Sequence, residues 1–183
     1  MGGRMYTYCL YCEAGKCGYV AIALTSKMDC QVIIPKQVQH TWDKGKMVNR
    51  VHNLFPGYLF LYSEQPLEMS HCLKIPGVVR CLSTGEDSYE LHGTDEKFAL
   101  FLLDKNGIIG KVLVTEQDGM LEISPESLRR ADVSIIKVDR RNTRMQIEIR
   151  LFRHTLRTWI EYEIAEAKEQ EGIEQGYGST DNG

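Results

Sequence analysis

The most constraining feature of the sequence is an apolar run from Tyr58 to Tyr62 that directly follows Pro56-Gly57. Its aromatic and aliphatic side chains favour a β-strand. Successive side chains of a strand point to opposite faces of the sheet, so an unbroken apolar run needs cover on both faces. The run therefore predicts a central strand in a sheet that has a packed layer on each side.

The segments around this run alternate between strand and helix patterns. Aromatic and β-branched residues predict strands at three further places, over residues 5–12, 30–34 and 78–82. Apolar residues at helical spacing predict helices over residues 16–27, 66–74 and 94–105. Asp43 and Gly45 separate two short strand-like runs and predict a hairpin between residues 37 and 51. The order β-α-β-hairpin-β-α-β-α belongs to the α+β class.

The second part of the chain has a different pattern. Residues 107–123 carry three glycines and no long period, whereas apolar and polar residues alternate from Val133 onwards. The alternation from Met145 to Leu151 is typical of a half-buried strand. The sequence predicts a domain over residues 5–105, a linker over 106–118, a small all-β domain over 119–166 and a disordered acidic tail over 167–183.

Charge is distributed unevenly along the chain. The formal net charge of the whole chain is -3, but residues 129–157 contain nine basic and three acidic residues, a net charge of +6. Residues 161–183 contain seven acidic residues and one lysine, a net charge of -6. The basic segment fits a phosphate-binding surface, because guanidinium groups match phosphate geometry. A solvated face held by ion pairs is the alternative, and charge alone leaves both open.

Several classes of protein find no support in the sequence. No apolar run reaches the roughly 18 residues of a membrane helix, and the amino terminus lacks a secretory signal, which predicts a cytoplasmic protein. Six cysteines are present, but no second CxxC pair follows the first, so we expect free thiols and no metal. Five scattered histidines and the absence of nucleotide-binding or hydrolase motifs predict a non-enzymatic protein without cofactors.

The segment around the central run resembles a known signature. Residues 53–61, with Phe55-Pro56-Gly57-Tyr58 at their centre, resemble the FPGYxxV motif of the NusG amino-terminal (NGN) domain. Neighbouring segments resemble that domain in the same order: aromatic Tyr8 to Tyr11, the Ala14-Gly15-Lys16 step into a helix, Ile34-Pro35, and Ile75-Pro76-Gly77-Val78-Val79. The resemblance implies an antiparallel sheet flanked by helices.

The second domain resembles a divergent KOW domain, a small SH3-like barrel. Ile135 to Arg141 resembles the IxKIDR turn of the family, and Phe152 to Thr155 resembles its FGRxT segment. Arg153 replaces the glycine of that segment, and residues 127–133 lack the usual KOW glycines. The Ile-Lys-Val-Asp-Arg-Arg stretch is most similar to specialised antiterminator paralogs of the LoaP type.

The resemblance also implies binding residues. In this family an apolar pocket on the NGN sheet receives the clamp helices of RNA polymerase, which assigns that contact to Tyr8, Phe55, Pro56 and Tyr58. The NGN hairpin lies toward the non-template DNA strand, which assigns a DNA contact to Trp42, Lys44, Lys46 and Arg50. The basic KOW segment fits nascent RNA, through Lys137, Arg140, Arg141 and Arg144. For the rings the alternative is plain core, and for the cations it is a solvated or ion-paired face.

Taken as a whole, the resemblance covers residues 5–166 and implies a monomeric transcription elongation or antitermination factor. Such a factor binds RNA polymerase, suppresses pausing or termination and needs neither cofactor nor membrane. The alternative is a stand-alone RNA-binding or ribosome-associated KOW protein. The FPGY signature favours the first function, because a free KOW protein has no need of an NGN domain.

Overall fold

The strands and helices predicted before residue 106 all form, with ends shifted by a few residues. The computed structural model describes residues 4–83, 88–124, 128, 132–151 and 154–165. Its first elements are β1 (Tyr6–Cys12), α1 (Cys17–Lys27), β2 (Gln31–Ile33), β3 (Lys36–Asp43), β4 (Lys46–Asn53) and β5 (Tyr58–Ser63). They are followed by α2 (Met69–Leu73), β6 (Val78–Cys81) and α3 (Gly93–Asp104).

Strand β5 is an interior strand, as its apolar run predicts. It lies between β2 and β1 in a four-stranded sheet of order β2-β5-β1-β6, and its pairings with both neighbours are antiparallel. Helices α1 and α2 contribute Val20 and Cys72 to the buried cluster on one face of this sheet. Helix α3 contributes Phe98 to the cluster on the other face, where the Tyr62 hydroxyl donates a hydrogen bond of 2.7 Å to the Ala99 carbonyl.

The predicted hairpin forms a separate small sheet. Strands β3 and β4 pair antiparallel from Lys36↔Asn53 to Asp43↔Lys46, and β7 (Ile108–Ile109) joins β3 in parallel. Lys44 and Gly45 form the turn with φ of 50° and 78°. Positive φ at both central residues is the geometry that matches the twist of a two-residue hairpin. The two strands therefore pair as a twisted ribbon.

The remaining strands form a five-stranded sheet among the described residues, in the order β10-β11-β12-β8-β9. They are β8 (Val112–Gln117), β9 (Met120–Ile123), β10 (Asp132–Asp139), β11 (Arg144–Leu151) and β12 (His154–Ile164). The apolar residues of β11 and β12 that alternate in the sequence are buried on its inner face: Met145, Ile147, Ile149, Leu151, Leu156 and Ile160. This sheet is consistent with a KOW-like barrel.

Residues 106–118, predicted as a linker, contain β7 and all of β8. Strand β8 pairs with β12 in parallel and with β9 in antiparallel, so it is part of the C-terminal sheet. Buried Phe101, Ile109 and Leu128 belong to one continuous apolar cluster that joins α3 to this sheet. The division into two independent domains stays a prediction.

Candidate interaction surfaces

The Phe55-Pro56-Gly57-Tyr58 motif is a turn that packs against β1. The Tyr58 amide donates to the Phe55 carbonyl at 3.1 Å, and the Cys12 amide donates to the Gly57 carbonyl at 2.7 Å. Gly57 has a φ of +90°, and a Cβ at this position would lie 2.7 Å from Cε2 of Tyr11. Glycine is required here because both the backbone conformation and the approach of the Tyr11 ring exclude a side chain.

The four residues assigned to polymerase contact lie in different environments. Pro56 is exposed and Tyr58 is half-buried beside it. Phe55 is only 2% exposed and packs edge-on against Phe98, with ring centroids 6.2 Å apart. Tyr8 lies in the cluster on the opposite face of the sheet, where its hydroxyl accepts a hydrogen bond of 3.1 Å from the Leu67 amide. The structure therefore brings Phe55, Pro56 and Tyr58 together and separates Tyr8 from them.

Two residues that the sequence analysis did not single out complete the surface around Tyr58. The Tyr11 and Tyr58 rings lie 4.9 Å apart at an angle of 50°, and the Arg80 guanidinium lies 5.5 Å from the centre of the Tyr11 ring. Burial raises the pKa of the Tyr58 hydroxyl, and a hydrogen bond with Arg80 offsets part of the rise. We call Tyr11, Pro56, Tyr58 and Arg80 the aromatic surface. Alternation along β1 predicts that Tyr11 and Tyr8 point to opposite faces, but only the register shows that Tyr11 pairs with Tyr58.

The hairpin brings its four predicted nucleic-acid residues onto one exposed ribbon. Trp42 and Met47 are opposite each other across the strands and are 72% and 59% exposed. Lys44 and Lys46 are exposed at the turn, and Arg50 is exposed on β4 with its guanidinium 3.9 Å from the Asp43 carboxylate. Because side chains alternate along the paired strands, Trp42 lies on one face of the ribbon, and Lys46 and Arg50 lie on the other. An exposed indole is able to stack on a base, and the cations of the same ribbon are able to attract phosphates.

Two of the four predicted cations of the C-terminal sheet form ion pairs with described carboxylates, and the other two do not. Arg140 pairs with Glu116 at 2.9 Å, and the Arg144 Nε donates to Asp139 at 3.0 Å. Lys137 and Arg141 are exposed and form no ion pair with a described carboxylate. The ion-paired alternative therefore applies to Arg140 and Arg144. Arg129, Arg130 and Arg153, like the predicted tail over residues 167–183, lie outside the described residues.

The Asp139 carboxylate organises the turn between β10 and β11. It accepts hydrogen bonds from the Asn142 amide at 3.2 Å and from the Asn142 side chain at 2.9 Å. These contacts, together with Arg144, lower the pKa of Asp139 below its ordinary value. The turn is consequently fixed by its own side chains, and Arg141 projects from a defined backbone.

The cysteines are free thiols, and all but Cys30 are buried. Burial raises the pKa of Cys12 to about 12 and that of Cys72 to about 11. Within the described residues, no cluster of His, Cys, Asp or Glu side chains has the composition of a metal site. None of the helices in the described part of the chain has the length and hydrophobicity of a membrane span.

Comparison with known proteins links these features to one family. The family model of the transcription termination factor NusG matches residues 5–102, which is more than half of the chain. A solved structure described as "Domain interaction in Thermotoga maritima NusG" shares the fold, with a TM-score of 0.50 and 15% sequence identity. The similarity covers 86% of this chain and 94% of the Thermotoga maritima chain. No curated protein matches the sequence.

Proposed function

The chain belongs to the NusG family of transcription factors, and from that premise we propose that it binds RNA polymerase and suppresses pausing or termination. The observation that carries the proposal is the Phe55-Pro56-Gly57-Tyr58 turn, which holds a half-buried Tyr58 beside Tyr11 and the exposed Arg80. The turn lies within the segment that the family model matches. The proposed role is non-enzymatic and needs no cofactor.

The aromatic surface is the proposed contact for the clamp helices of the polymerase. Aromatic rings bury a large area and lose little conformational entropy on binding. Tyr58 and Tyr11 already support each other, so their rings are preorganised. Arg80 adds a cation at the rim, which favours an acidic helix end or side chain on the partner. Phe55 and Tyr8, both buried, act in this proposal by fixing the turn and the sheet rather than by touching the polymerase.

The hairpin is the proposed contact for the non-template DNA strand near the polymerase. Trp42 supplies a stacking surface, and Lys44, Lys46 and Arg50 supply positive charge along the same ribbon. Such a contact tolerates many sequences, because every base has a face on which an aromatic ring stacks. A lysine-to-alanine change at Lys44 is expected to reduce the salt dependence of DNA binding by about one unit of log–log slope.

The C-terminal sheet is the proposed contact for nascent RNA. No described carboxylate pairs with Lys137 or Arg141, so a phosphate that binds them displaces no existing ion pair. These two residues are therefore the first candidates for phosphate contact. Arg140 exchanges the Glu116 carboxylate for a phosphate when RNA binds, which costs more because an existing ion pair is broken, whereas Arg144 keeps its contact with Asp139. The Arg-rich sheet supports a specialised antiterminator of the LoaP type over a housekeeping factor.

Affinity purification on core RNA polymerase tests the proposal. The full chain, expected to be monomeric, should bind the core enzyme and increase read-through at pause and terminator sites in a purified transcription assay. A chain that binds hairpin RNA or ribosomes but not polymerase would contradict the proposal. That result would instead support the alternative of a stand-alone RNA-binding or ribosome-associated KOW protein.

A further inference from the structure

A row of three side chains crosses the outer face of the C-terminal sheet. Lys137 of β10 is paired with Gln146 of β11, and Gln146 is paired with Trp159 of β12. The residues on either side of Gln146 in β11, Met145 and Ile147, are buried on the inner face. Because side chains alternate along a strand, the row lies on the face opposite that core, where Lys137 is exposed and Gln146 and Trp159 are half-buried. An indole on that side is not needed to fill the core.

Trp159 carries a fixed cation on its ring. The Cζ atom of Arg144 lies 4.9 Å from the centre of the Trp159 ring. The Arg144 Nε donates to Asp139 at 3.0 Å, so the guanidinium is held in place while its side chain remains 39% exposed. The pair is thus a partly solvent-exposed cation–π contact whose guanidinium is held by Asp139 before any ligand binds.

The surroundings of this pair are polar and charged, and the carboxylates of Asp139, Glu148 and Glu161 lie among its cations. Lys137 lies in the same row, and Arg157 lies one row away, paired with Glu148 at 2.8 Å. The Gln146 amide lies between Lys137 and Trp159 and offers both donors and an acceptor. Ile136, at the irregular pairing next to Lys137, adds an exposed apolar edge.

This combination matches the chemistry of an unpaired RNA base. Unpaired bases stack on aromatic rings or on arginine planes, and their exposed edges form hydrogen bonds with side-chain amides. The adjoining phosphates need nearby cations, which Lys137 and Arg141 supply. A base inside a duplex is already stacked and paired, so it gains nothing from this site.

We propose that Trp159 and Arg144 form a stacking site for a single unpaired RNA base, with Gln146 contacting the base edge. The inference rests on the proposed contact between the C-terminal sheet and nascent RNA, and it adds the feature that is recognised, an unpaired loop nucleotide rather than the stem. Arg141 and Lys137 then hold the backbone on either side of that nucleotide.

Fluorescence anisotropy of the full chain with two labelled RNA hairpins tests this inference. The hairpins share one stem, and one has a uridine loop while the other has an abasic loop. The parent protein should bind the uridine loop about fivefold or more tightly than the abasic loop, since stacking on an aromatic residue contributes at least this factor. Trp159→Leu should remove the difference, and Trp159→Phe should retain much of it.

Two further variants separate stacking from phosphate contact and from folding. Arg141→Ala should weaken binding of both hairpins by the same factor, because it acts on the backbone. Arg144→Gln should also reduce the preference for the uridine loop. If circular dichroism shows that Trp159→Leu is unfolded, the Arg144→Gln variant serves as the test instead. A structural role of Trp159 would lower the melting temperature without changing the preference between loops.

The outcomes distinguish this inference from the proposed function. Equal binding of both loops by the parent protein, or a loop preference that persists in folded Trp159→Leu or Arg144→Gln, would overturn the stacking site alone. Failure of the parent to bind either hairpin would overturn the RNA contact of the C-terminal sheet as well. In neither case would binding to RNA polymerase be affected.

Discussion

One carboxylate, that of Glu161, accepts both the backbone amide and the imidazole of His40. Its Oε1 lies 2.8 Å from the His40 amide nitrogen and its Oε2 lies 2.7 Å from the His40 Nδ1. His40 belongs to the hairpin sheet and Glu161 to β12 of the C-terminal sheet. Strand β7 pairs with β3 only at Lys36 and Gln37. The His40 amide lies further along β3, where no described strand accepts its hydrogen bond. The contact therefore links the hairpin sheet to the C-terminal sheet, at a strand edge that is otherwise unpaired among the described residues.

Loss of this contact should destabilise the folded chain. We expect Glu161→Ala to lower the free energy of unfolding by about 1–3 kcal/mol, because it leaves a partly buried amide and imidazole without their acceptor. The matched control is Glu163→Ala, two residues along the same strand and exposed. Urea denaturation measures both. Equal stability of the two variants would show that the His40–Glu161 contact carries no net free energy.

Gly57 should be less replaceable than another glycine with similar backbone geometry. Gly15 has a φ of +74° and open space around it, whereas a Cβ on Gly57 would lie 2.7 Å from the Tyr11 ring. Gly15→Ala is expected to cost about 1–2 kcal/mol through its backbone conformation alone. Gly57→Ala should cost about 1–3 kcal/mol more, because the Tyr11 ring must move. Thermal unfolding checks the order, and a smaller loss for Gly57→Ala would contradict the described turn.

The buried thiols should resist alkylation at neutral and mildly alkaline pH. Burial raises the pKa of Cys12 from 9.0 to about 12 and that of Cys81 from 9.0 to about 12. Thiolate, the reactive form, therefore stays scarce in the folded chain. The unfolded chain loses these protons near pH 9, so stability should fall as the pH rises from about 9 to 12. Thiol titration should find six groups in denaturant and few without it, and bound zinc in stoichiometric amount would contradict free thiols.

Phe55 should behave as a core residue rather than as a surface contact. Its ring is 2% exposed and packs on Phe98, so Phe55→Ala is expected to cost about 3–5 kcal/mol of stability. The neighbouring Pro56 is exposed, and Pro56→Ala should cost far less. Chemical denaturation distinguishes the two. If Phe55→Ala were as stable as the parent, the ring would not lie in the core, and its assignment to direct polymerase contact would regain support.

Local patterns in the sequence predict the first half of the fold well, because its signals are short-range. The apolar run at Tyr58–Tyr62 and the Asp43–Lys46 turn each determine their element within a few residues. Strands β8 and β9 were not predicted, although Asp118-Gly119 between them is a local hairpin signal. The parallel pairing of β8 with β12, about fifty residues away, has no such local signal. Pairing of this kind depends on tertiary structure.

The candidate surfaces were predicted less completely, because a motif identifies positions but not the faces on which they lie. Tyr8 and Tyr58 both belong to the family pattern, yet the pairing Tyr8↔Leu61 and Tyr11↔Tyr58 puts them on opposite faces. Likewise, the ion pair between Arg140 and Glu116 joins residues from different strands of the C-terminal sheet. Sheet register decides both relationships, and a single sequence contains no direct record of it.

The affinity of the full chain for core RNA polymerase is the most direct test of the central claim. Tyr58→Ala should weaken binding by about 30-fold or more, which corresponds to an interface anchor of about 2 kcal/mol. Tyr19→Ala, which removes an exposed ring from α1 in the layer on the other face of the sheet, should bind as the parent does. Circular dichroism establishes that both variants are folded. A folded Tyr58→Ala variant that binds polymerase as tightly as the parent would contradict the account.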